Sequence, residues 1–215
     1  MQLYADPVTV NCRKVVAGLD LIGSAYELVP VNYFTGEHRE EAYRALNPNA
    51  SLPTLVDDDF VLWESNAILQ YAADKAGNRQ VYPDGPRQRA DINRWLLWEC
   101  SQWFPSCYVY LVEHCVKPLL GAVPDPAAIS AQEDNFHKLA GILDQRLANS
   151  RWIAGDGPTI ADIALAAPAH LHPHQRLPLE RHPNVRRWMV EEVERLPCWE
   201  RSYVSEVFTR ERKAG

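Results

Sequence analysis

Three consecutive residues, Glu64, Ser65 and Asn66, carry groups suited to recognising an α-amino acid. They stand between an apolar stretch typical of a strand and a pattern typical of a helix. Free N–H groups at the start of a helix and a serine hydroxyl can bind a carboxylate, because that end of the helix dipole is positive. Glu64 can bind the ammonium group beside it. Read alone, the residues favour the simpler alternative of an N-cap serine next to a solvated glutamate.

A second candidate binding element is Leu52-Pro53-Thr54, which follows an irregular loop and enters a predicted strand. A cis bond before Pro53 turns the backbone N–H and C=O of Leu52 outward, where they can pair with an extended peptide ligand. A trans proline at the start of a strand is the alternative, and trans is the commoner state of such bonds. The segment alone leaves both interpretations open.

A third element, Thr9 to Arg13, connects the first predicted strand to the first predicted helix. The Thr9 hydroxyl can donate to a thiolate and so lower the pKa of a thiol, which is ordinarily near ~8.5. A decrease of about two units requires ~2.7 kcal/mol, which one charge-assisted hydrogen bond and a helix dipole can supply. Cys12 competes as a reactive thiol at a helix start, although a small buried residue is its favoured interpretation.

The first 77 residues alternate between strand and helix patterns and predict the order βαβαββα. The predicted strands are Gln2–Tyr4, Tyr26–Val31, Thr54–Val56 and Phe60–Trp63. The predicted helices run from an N-cap at Asn11 to Ile22, over Glu37–Leu46, and over Asn66–Lys75 with Ser65 as N-cap. Residues 1–77 are therefore expected to form a mixed α/β domain.

The second part of the chain has a different character. Residues 78–86, rich in polar residues and proline, predict a linker, and helical patterns dominate from 87 to 215. The predicted helices are Arg87–Leu119, Ala127–Leu147, Ile160–Ala169, Val185–Leu196 and Trp199–Arg210. Pro105 is expected to kink or break the first of them. Residues 87–215 thus predict an all-α domain.

Composition excludes several classes of protein. The chain has 22 Lys and Arg against 28 Asp and Glu, a net charge of −6, which argues against a nucleic-acid binder. It has no apolar run of the ~20 residues that span a membrane, and its start lacks the features of a signal peptide. Five cysteines without a CxxC spacing fit reduced thiols. We therefore expect a cytoplasmic protein.

Alternating histidines at positions 170, 172 and 174 raise the question of a metal site. No acidic or cysteine partner lies at a metal-binding spacing, and Pro173 between them favours a loop. We expect no functional metal.

Taken together, these motifs resemble the cytosolic glutathione S-transferases, with a pattern close to the phi and theta classes and their bacterial relatives. LYADPVTVNCRKV is similar to the family's first strand, catalytic loop and first helix. GEHREEAYRALNPNASLPTLVDDDFVLWESNAILQYAADK is similar to the rest of its thioredoxin-like domain. The resemblance is close over residues 2–77. It is weaker in the helical part, where GDGPTIADI is similar to the family's N-capping box, with Thr159 and Asp162 at reciprocal spacing.

The resemblance implies roles in catalysis for two residues of the first turn. Thr9 stands where phi and theta enzymes have their catalytic serine, and it keeps the hydroxyl while adding a methyl group. Asn11 fits the supporting asparagine of some bacterial relatives.

The resemblance also implies contacts along bound glutathione. His38 is expected at the glycyl carboxylate, the Leu52 backbone before a cis Pro53 at the cysteinyl part, and Glu64 and Ser65 at the γ-glutamyl head. Ser51 stands where many relatives have Lys or Gln, which weakens one contact to the glycyl carboxylate and can raise the KM for glutathione.

Aromatic residues are concentrated in the first long helical stretch, and most are expected in its core. In the family, one face of this helix lines the pocket for the electrophile. The residues expected there are Trp103, Phe104 and Tyr108.

The implied function is conjugation of the glutathione thiolate to an apolar electrophile, a detoxification reaction with glutathione as co-substrate and no other cofactor. Alternatives are a glutathione-dependent disulfide reductase or peroxidase and a non-catalytic ligand-binding protein, since fold does not determine function. The family also implies a homodimer. Its expected surface combines Asp57–Trp63, Asn66–Lys75 and Arg87–Trp98.

Overall fold

The computed structural model describes residues 1–203, which divide into two compact units. The first unit comprises Met1–Tyr82 together with the described residues from Leu196 onward, and the second comprises Pro83–Arg195. The boundary between Tyr82 and Pro83 lies within the expected linker.

The first unit is built on a four-stranded sheet, as the sequence predicts. Its strands have the order β2-β1-β3-β4; β1 and β2 are parallel, and the other two pairs are antiparallel. The strands are β1 (Gln2–Ala5), β2 (Glu27–Pro30), β3 (Thr54–Asp57) and β4 (Phe60–Trp63). The helices are α1 (Val10–Ile22), α2 (Glu41–Leu46) and α3 (Ser65–Ala76).

Helices α1 and α3 pack closely against each other, and Gly18 makes this approach possible. A Cβ on Gly18 would lie 2.2 Å from the Leu69 side chain. Apolar side chains of both helices and of β1 are fully buried around this contact, among them Leu3, Leu19 and Ile68. This packing holds the start of α1 beside the start of α3.

Both helix starts differ from the sequence prediction by one or two residues. Thr9, in an extended conformation, occupies the N-cap position of α1, so Asn11 lies within the first turn. Glu64 occupies the N-cap position of α3, so Ser65 is its first helical residue. The side chains of Asn11 and Ser65 are therefore not used as caps. The expected helix over 37–46 is divided into a 3₁₀ turn, Glu37–Arg39, and α2.

The second unit is entirely helical in its described residues, as predicted. Its helices are α4 (Pro86–Trp98), α5 (Phe104–Leu111), α6 (Lys117–Leu119), α7 (Pro126–Leu147), α8 (Ile160–Ala166), α9 (His172–Gln175) and α10 (Pro183–Arg187). In residues 1–203, no helix combines the length and apolar character needed to cross a membrane.

Pro105 does not end the first long helix. A π-helical turn, Glu99–Trp103, connects α4 directly to α5, and a second one, Val112–Val116, connects α5 to α6. Pro105 is the second residue of α5, directly after the first π-helical turn, so the part of the helix that its ring and missing N–H disturb is wound as a π-helix rather than broken.

The last described helix, α11 (Pro197–Arg201), belongs to the first unit rather than to the helical one. Its attachment is explained by Arg13 of α1, whose guanidinium lies 4.5 Å from the Trp199 ring centroid and whose Nε donates to Ser202 Oγ at 3.2 Å. The expected helical domain of 87–215 therefore differs from the structure over 196–203. The part of the expected helix Trp199–Arg210 beyond Tyr203 lies outside the described residues.

Candidate functional site

The topology of the first unit brings most of the candidate residues to one end of the sheet, where the strands begin or finish. Tyr4 of β1 pairs with Thr54 of β3, and Thr54 pairs with Trp63 of β4. The ends of β1 and β4 and the start of β3 therefore meet, and β2 ends on the same side because it is parallel to β1. The segments that enter or leave the sheet at this end carry Thr9, Ser51–Pro53 and Glu64–Ser65.

The turn after β1 holds the Thr9 hydroxyl in a defined place. Thr9 Oγ1 donates to the carbonyl oxygen of Asp6 at 3.0 Å, and the Thr9 N–H donates to the same oxygen at 2.9 Å. The hydroxyl keeps its lone pairs for other donors. A hydroxyl that stabilises a thiolate must redirect its proton away from the Asp6 carbonyl.

Cys12 is fully buried in the first turn of α1. Burial raises the pKa of its thiol to about 12, although a hydrogen bond with Thr9 opposes the shift. The thiol is therefore protonated at neutral pH, and its place in the core supports a packing role.

Ser65 lies at the centre of a polar cluster between α1 and α3. Its Oγ lies 3.5 Å from Asn11 Oδ1 and accepts a hydrogen bond from Lys14 Nζ at 3.1 Å. Lys14 Nζ also lies 3.4 Å from Asn66 Oδ1, and Lys14 is 1% exposed. The cluster thus places a hydroxyl and a buried cation at the start of a helix, both of which favour a carboxylate ligand.

Glu64 precedes this helix in a strained conformation. Its φ of 74° lies in the left-handed region, its side chain is exposed, and it makes no side-chain capping hydrogen bond. Residues other than glycine with such backbone angles cost of order 1–3 kcal/mol, and they persist where the surrounding structure requires them. The uncapped helix start and the exposed carboxylate leave both groups accessible to a ligand.

The Leu52–Pro53 peptide bond is cis. The turn is fixed from behind by three buried residues: Tyr43 Oη donates to the Ser51 carbonyl at 2.7 Å, Asn47 Nδ2 donates to the same oxygen at 2.8 Å, and Tyr43 Oη lies 2.7 Å from Thr54 Oγ1. In the described part of the chain, no hydrogen bond engages the Leu52 backbone. This backbone has the features expected for pairing with an extended ligand.

His38 lies in the 3₁₀ turn Glu37–Arg39 and is buried. Its ring stacks on Tyr33 with centroids 4.7 Å apart, and its Nδ1 has no hydrogen-bond partner in the described residues. Desolvation, together with the nearby Arg39 charge, lowers the pKa of His38. The imidazole is therefore neutral at pH 7 and has a nitrogen left for a ligand.

The three aromatic candidates of the helical unit have different surroundings. Trp103 is fully buried, donates from Nε1 to the Leu165 carbonyl at 2.9 Å, and packs on Phe136 with centroids 5.4 Å apart. Phe104 and Tyr108 stack with centroids 5.3 Å apart, and Tyr108 is 40% exposed. These contacts explain Trp103 as a core residue of the helical unit, while Phe104 and Tyr108 lie nearer the surface.

The alternating histidines are used in local contacts. His170 Nδ1 bonds the Ala167 carbonyl at 2.8 Å, and His172 Nε2 lies 3.0 Å from Glu194 Oε1. Over residues 1–203, no group of three or more metal-ligating side chains could hold an ion.

Comparison with known proteins identifies the family. Residues 1–74 match the model of the glutathione S-transferase N-terminal domain, and residues 126–190 match that of its C-terminal domain. The probable glutathione S-transferase GSTF2 of Oryza sativa is 31% identical over 193 residues, which cover 87% of this chain and 89% of the relative. The chain belongs to the glutathione S-transferase family.

Solved structures of family members have the same fold. A theta class glutathione S-transferase from Xanthomonas axonopodis pv. citri with glutathione bound has a TM-score of 0.82 at 29% identity, covering 94% of this chain and 95% of that one. Glutathione S-transferase I from maize in complex with an atrazine glutathione conjugate has a TM-score of 0.84 at 25% identity and covers 97% of both chains. The family and the two-domain fold of this chain are thus shown, and the two related structures hold glutathione or a glutathione conjugate.

Sequence reasoning missed several polar residues that surround the candidate site of this glutathione S-transferase. Lys14 was hidden because its position on α1 has no motif of its own, although a lysine on a buried helix face is unusual. Tyr43 and Asn47 belong to α2 and its C-cap, and only the fold brings them behind Ser51. Asp6 carried a usable signal, since an aspartate followed by proline often starts a turn.

Proposed function

We propose that the protein is a glutathione S-transferase that joins the sulfur of glutathione to an apolar electrophile. The observation that carries this proposal is the 3.5 Å approach of Ser65 Oγ to Asn11 Oδ1. It joins a helix start suited to the γ-glutamyl carboxylate with the first turn of α1, whose N-cap residue is Thr9. This proximity supports a site in which the γ-glutamyl head and the thiol of the same tripeptide are bound by neighbouring segments.

In the proposed binding mode, glutathione lies extended across the end of the sheet where β1 and β4 finish and β3 begins. The γ-glutamyl carboxylate binds Ser65 and the N–H groups at the start of α3, and Glu64 accepts from the ammonium group. The backbone N–H and C=O of Leu52 pair with the cysteinyl residue.

At its other end, glutathione presents the glycyl carboxylate to His38. The neutral imidazole acts there as a hydrogen-bond donor, and its orphaned Nδ1 supports this role. Ser51 supplies a short hydroxyl where a longer side chain would reach the carboxylate, so we expect a moderate rather than a tight KM for glutathione.

The proposed chemistry begins with loss of the glutathione thiol proton to solvent. The Thr9 hydroxyl and the Asn11 amide donate to the thiolate and lower its pKa. The sulfur lone pair then forms the bond to carbon, and the leaving group departs with the electron pair of the broken bond. Cys12 takes no part, because its buried thiol stays protonated.

On the side of the electrophile we propose Phe104 and Tyr108 as apolar contacts. Their stacked rings and the partial exposure of Tyr108 support this assignment, whereas Trp103 is occupied by core contacts. The natural electrophile is expected to be apolar and of modest size.

The decisive test is conjugation of glutathione to chlorodinitrobenzene by the wild type and by Thr9→Val. Valine keeps the shape of threonine and removes the hydroxyl, so kcat should fall ~10-fold or more. Ser24→Ala, at an α1-flanking serine outside the site, is the matched control and should leave kcat unchanged.

Full activity of Thr9→Val with an inactive Asn11→Ala would assign the thiolate contact to Asn11 instead. A hydroperoxide assay separates the alternatives: reduction of peroxide without conjugation indicates a glutathione peroxidase. Retention on immobilised glutathione without turnover of either substrate indicates a binding protein.

We also propose that the protein is a homodimer. Strand β4 lies at the edge of the sheet, and its Phe60, Val61 and Trp63 are exposed, which suits a partner surface. Trp95, in the expected surface segment Arg87–Trp98, is 6% exposed and takes less part in it. Sedimentation should give about twice 24.5 kDa, and Phe60→Lys should shift it toward the single-chain mass. A wild type of 24.5 kDa at micromolar concentration contradicts the dimer.

The finer classification is also a proposal. Similarity to plant relatives and to a bacterial theta class structure supports a position near the phi and theta classes. Five free cysteines fit the expected cytoplasmic location, because reduced thiols persist in that compartment.

A further inference from the structure

Asp6 connects two loops of the site through three different acceptor atoms. Its carboxylate Oδ1 accepts from the Val8 N–H at 3.2 Å, and Oδ2 accepts from the Tyr33 N–H at 3.0 Å. Its carbonyl oxygen accepts from the N–H and the hydroxyl of Thr9, at 2.9 and 3.0 Å. Each carboxylate oxygen therefore serves a different loop.

The first of these loops is the turn that carries Thr9. The bond from Val8 closes an Asx turn over Asp6, a local arrangement that a short acidic side chain forms readily. It fixes the direction in which the chain enters α1, and with it the position of the Thr9 hydroxyl.

The second loop, residues 32–36, leads to His38. Tyr33 of this loop stacks on the His38 ring, with planes 11° apart. Within the loop, Glu37 Oε2 accepts from the Asn32 N–H at 2.7 Å, which shapes the loop without reaching the Thr9 turn. The bond to Asp6 ties this loop to the Thr9 turn.

We propose that Asp6 is a positioning residue that sets the distance between the thiolate-stabilising hydroxyl of Thr9 and the carboxylate-binding His38. The inference rests on the proposed function, because Thr9 is proposed to act on the cysteinyl sulfur and His38 on the glycyl carboxylate of the bound tripeptide. Asp6 does not touch glutathione. It acts through Thr9 on the thiolate and through Tyr33 on His38.

The chemistry of the Asp6 side chain allows its two connections to be removed separately or together by substitution. Both carboxylate oxygens accept from backbone N–H groups, and an asparagine of the same size has only one acceptor oxygen. Asp6→Asn therefore keeps the shape and loses one of the two connections, since its Nδ2 cannot accept. Asp6→Ala loses both.

The experiment compares Asp6→Asn and Asp6→Ala with Glu37→Ala, which loosens the 32–36 loop alone. Loss of one hydrogen bond corresponds to roughly 3–10-fold. We expect Asp6→Ala to raise the KM for glutathione and lower kcat, each by about that factor, and Glu37→Ala to raise KM only. Asp6→Asn should change at least one of the two parameters.

Two readouts separate positioning from a general loss of stability. The pKa of enzyme-bound glutathione, followed through thiolate absorbance against pH, should rise in Asp6→Ala and stay unchanged in Glu37→Ala. The effect of Asp6→Ala on kcat should disappear in the Thr9→Val background, because it is transmitted by the Thr9 hydroxyl. Thermal midpoints identify a variant that has not folded, and Asp6→Asn then carries the test.

The inference is overturned if folded Asp6 variants keep the wild-type KM, kcat and thiol pKa, or if Asp6→Ala lowers kcat equally with and without the Thr9 hydroxyl. An inactive wild type contradicts the proposed function instead. Calorimetric binding of glutathione then tests Asp6 without turnover: unchanged affinity in Asp6→Ala overturns the inference, and weaker affinity than in Glu37→Ala supports it.

Discussion

The starts of two helices, one in each unit, are built in opposite ways. At the start of α8, Thr159 and Asp162 form a reciprocal capping box that is fully buried. At the start of α3, the N-cap residue Glu64 makes no side-chain cap, lies at positive φ and is exposed, while Ser65 turns toward Asn11 and Lys14.

The difference shows how one structural feature can serve stability or binding. A helix start exposes N–H groups that need partners. Where the protein supplies every partner itself, as at α8, the result is a rigid point in the core. Where it leaves the N–H groups uncapped beside a buried cation, as at α3, a carboxylate from outside can complete the arrangement. Substitutions at the two starts should therefore affect different measurements.

The largest effect is expected from Asp162→Ala in the capping box. The Asp162 carboxylate is fully buried and accepts from the Ile153 N–H, the Thr159 N–H and hydroxyl, and Trp188 Nε1, at 2.9 to 3.1 Å. Burial raises the pKa of Asp162, and these hydrogen bonds oppose the shift. Alanine leaves the buried donors without an acceptor, which should lower the free energy of unfolding by about 3–5 kcal/mol.

Denaturant unfolding followed by circular dichroism measures this loss. Asp125→Ala is the matched control, because Asp125 caps α7 at the surface by accepting from the Ala127 N–H. An exposed cap contributes only about 1 kcal/mol. Equal effects of the two substitutions would contradict the view that burial of the box, rather than capping alone, sets its contribution.

A smaller effect of another kind is expected from Ser65→Ala at the start of α3. The hydroxyl is proposed to bind the γ-glutamyl carboxylate, so the KM for glutathione should rise about 10-fold while kcat changes less than about two-fold. Asn66→Ala is the control, since it also removes an acceptor of Lys14 without removing the proposed substrate contact. Steady-state kinetics at varied glutathione measures both, and an unchanged KM in Ser65→Ala would place the head group elsewhere.

The same comparison shows what the sequence could predict. Local patterns predicted the sequence of strands and helices along the chain, the two-domain architecture and the capping box. Alternation, turn residues and Thr-x-x-Asp spacing each have a direct physical cause. The prediction placed the N-caps at Asn11 and Ser65 instead of Thr9 and Glu64, because asparagine and serine are good caps in isolation. Tertiary contacts between α1 and α3 give the Ser65 and Asn11 side chains other partners.

The aromatic residues of the helical unit mark the limit of this approach. Trp103, Phe104 and Tyr108 are close in sequence and all aromatic, yet Trp103 is fully buried and Tyr108 is exposed, and the π-helical turn before α5 changes the helical register that a sequence pattern would assume. A proline in the sequence indicates that the helix is disturbed without giving the direction of the change. Lys14 escaped notice because its partners Ser65 and Asn66 are distant in sequence. The local turn at Asp6 could be predicted, but its bond to Tyr33, 27 residues further along the chain, could not.

The smallest effect is expected from Glu64→Gly, and it should separate stability from binding at one residue. Glycine tolerates the positive φ of this position, so relief of strain, reduced by the entropy of a freer unfolded chain, should raise the free energy of unfolding by about 1 kcal/mol. Glu64→Ala removes the same carboxylate but keeps a Cβ, so it should gain no stability. Both variants should raise the KM for glutathione several-fold through loss of the contact that we propose between Glu64 and the ammonium group. If Glu64→Gly and Glu64→Ala are equally stable in denaturant unfolding, the left-handed conformation carries no cost here. The start of α3 would then differ from the start of α8 only in what satisfies its N–H groups, which is an external ligand at α3 and the protein's own side chains at α8.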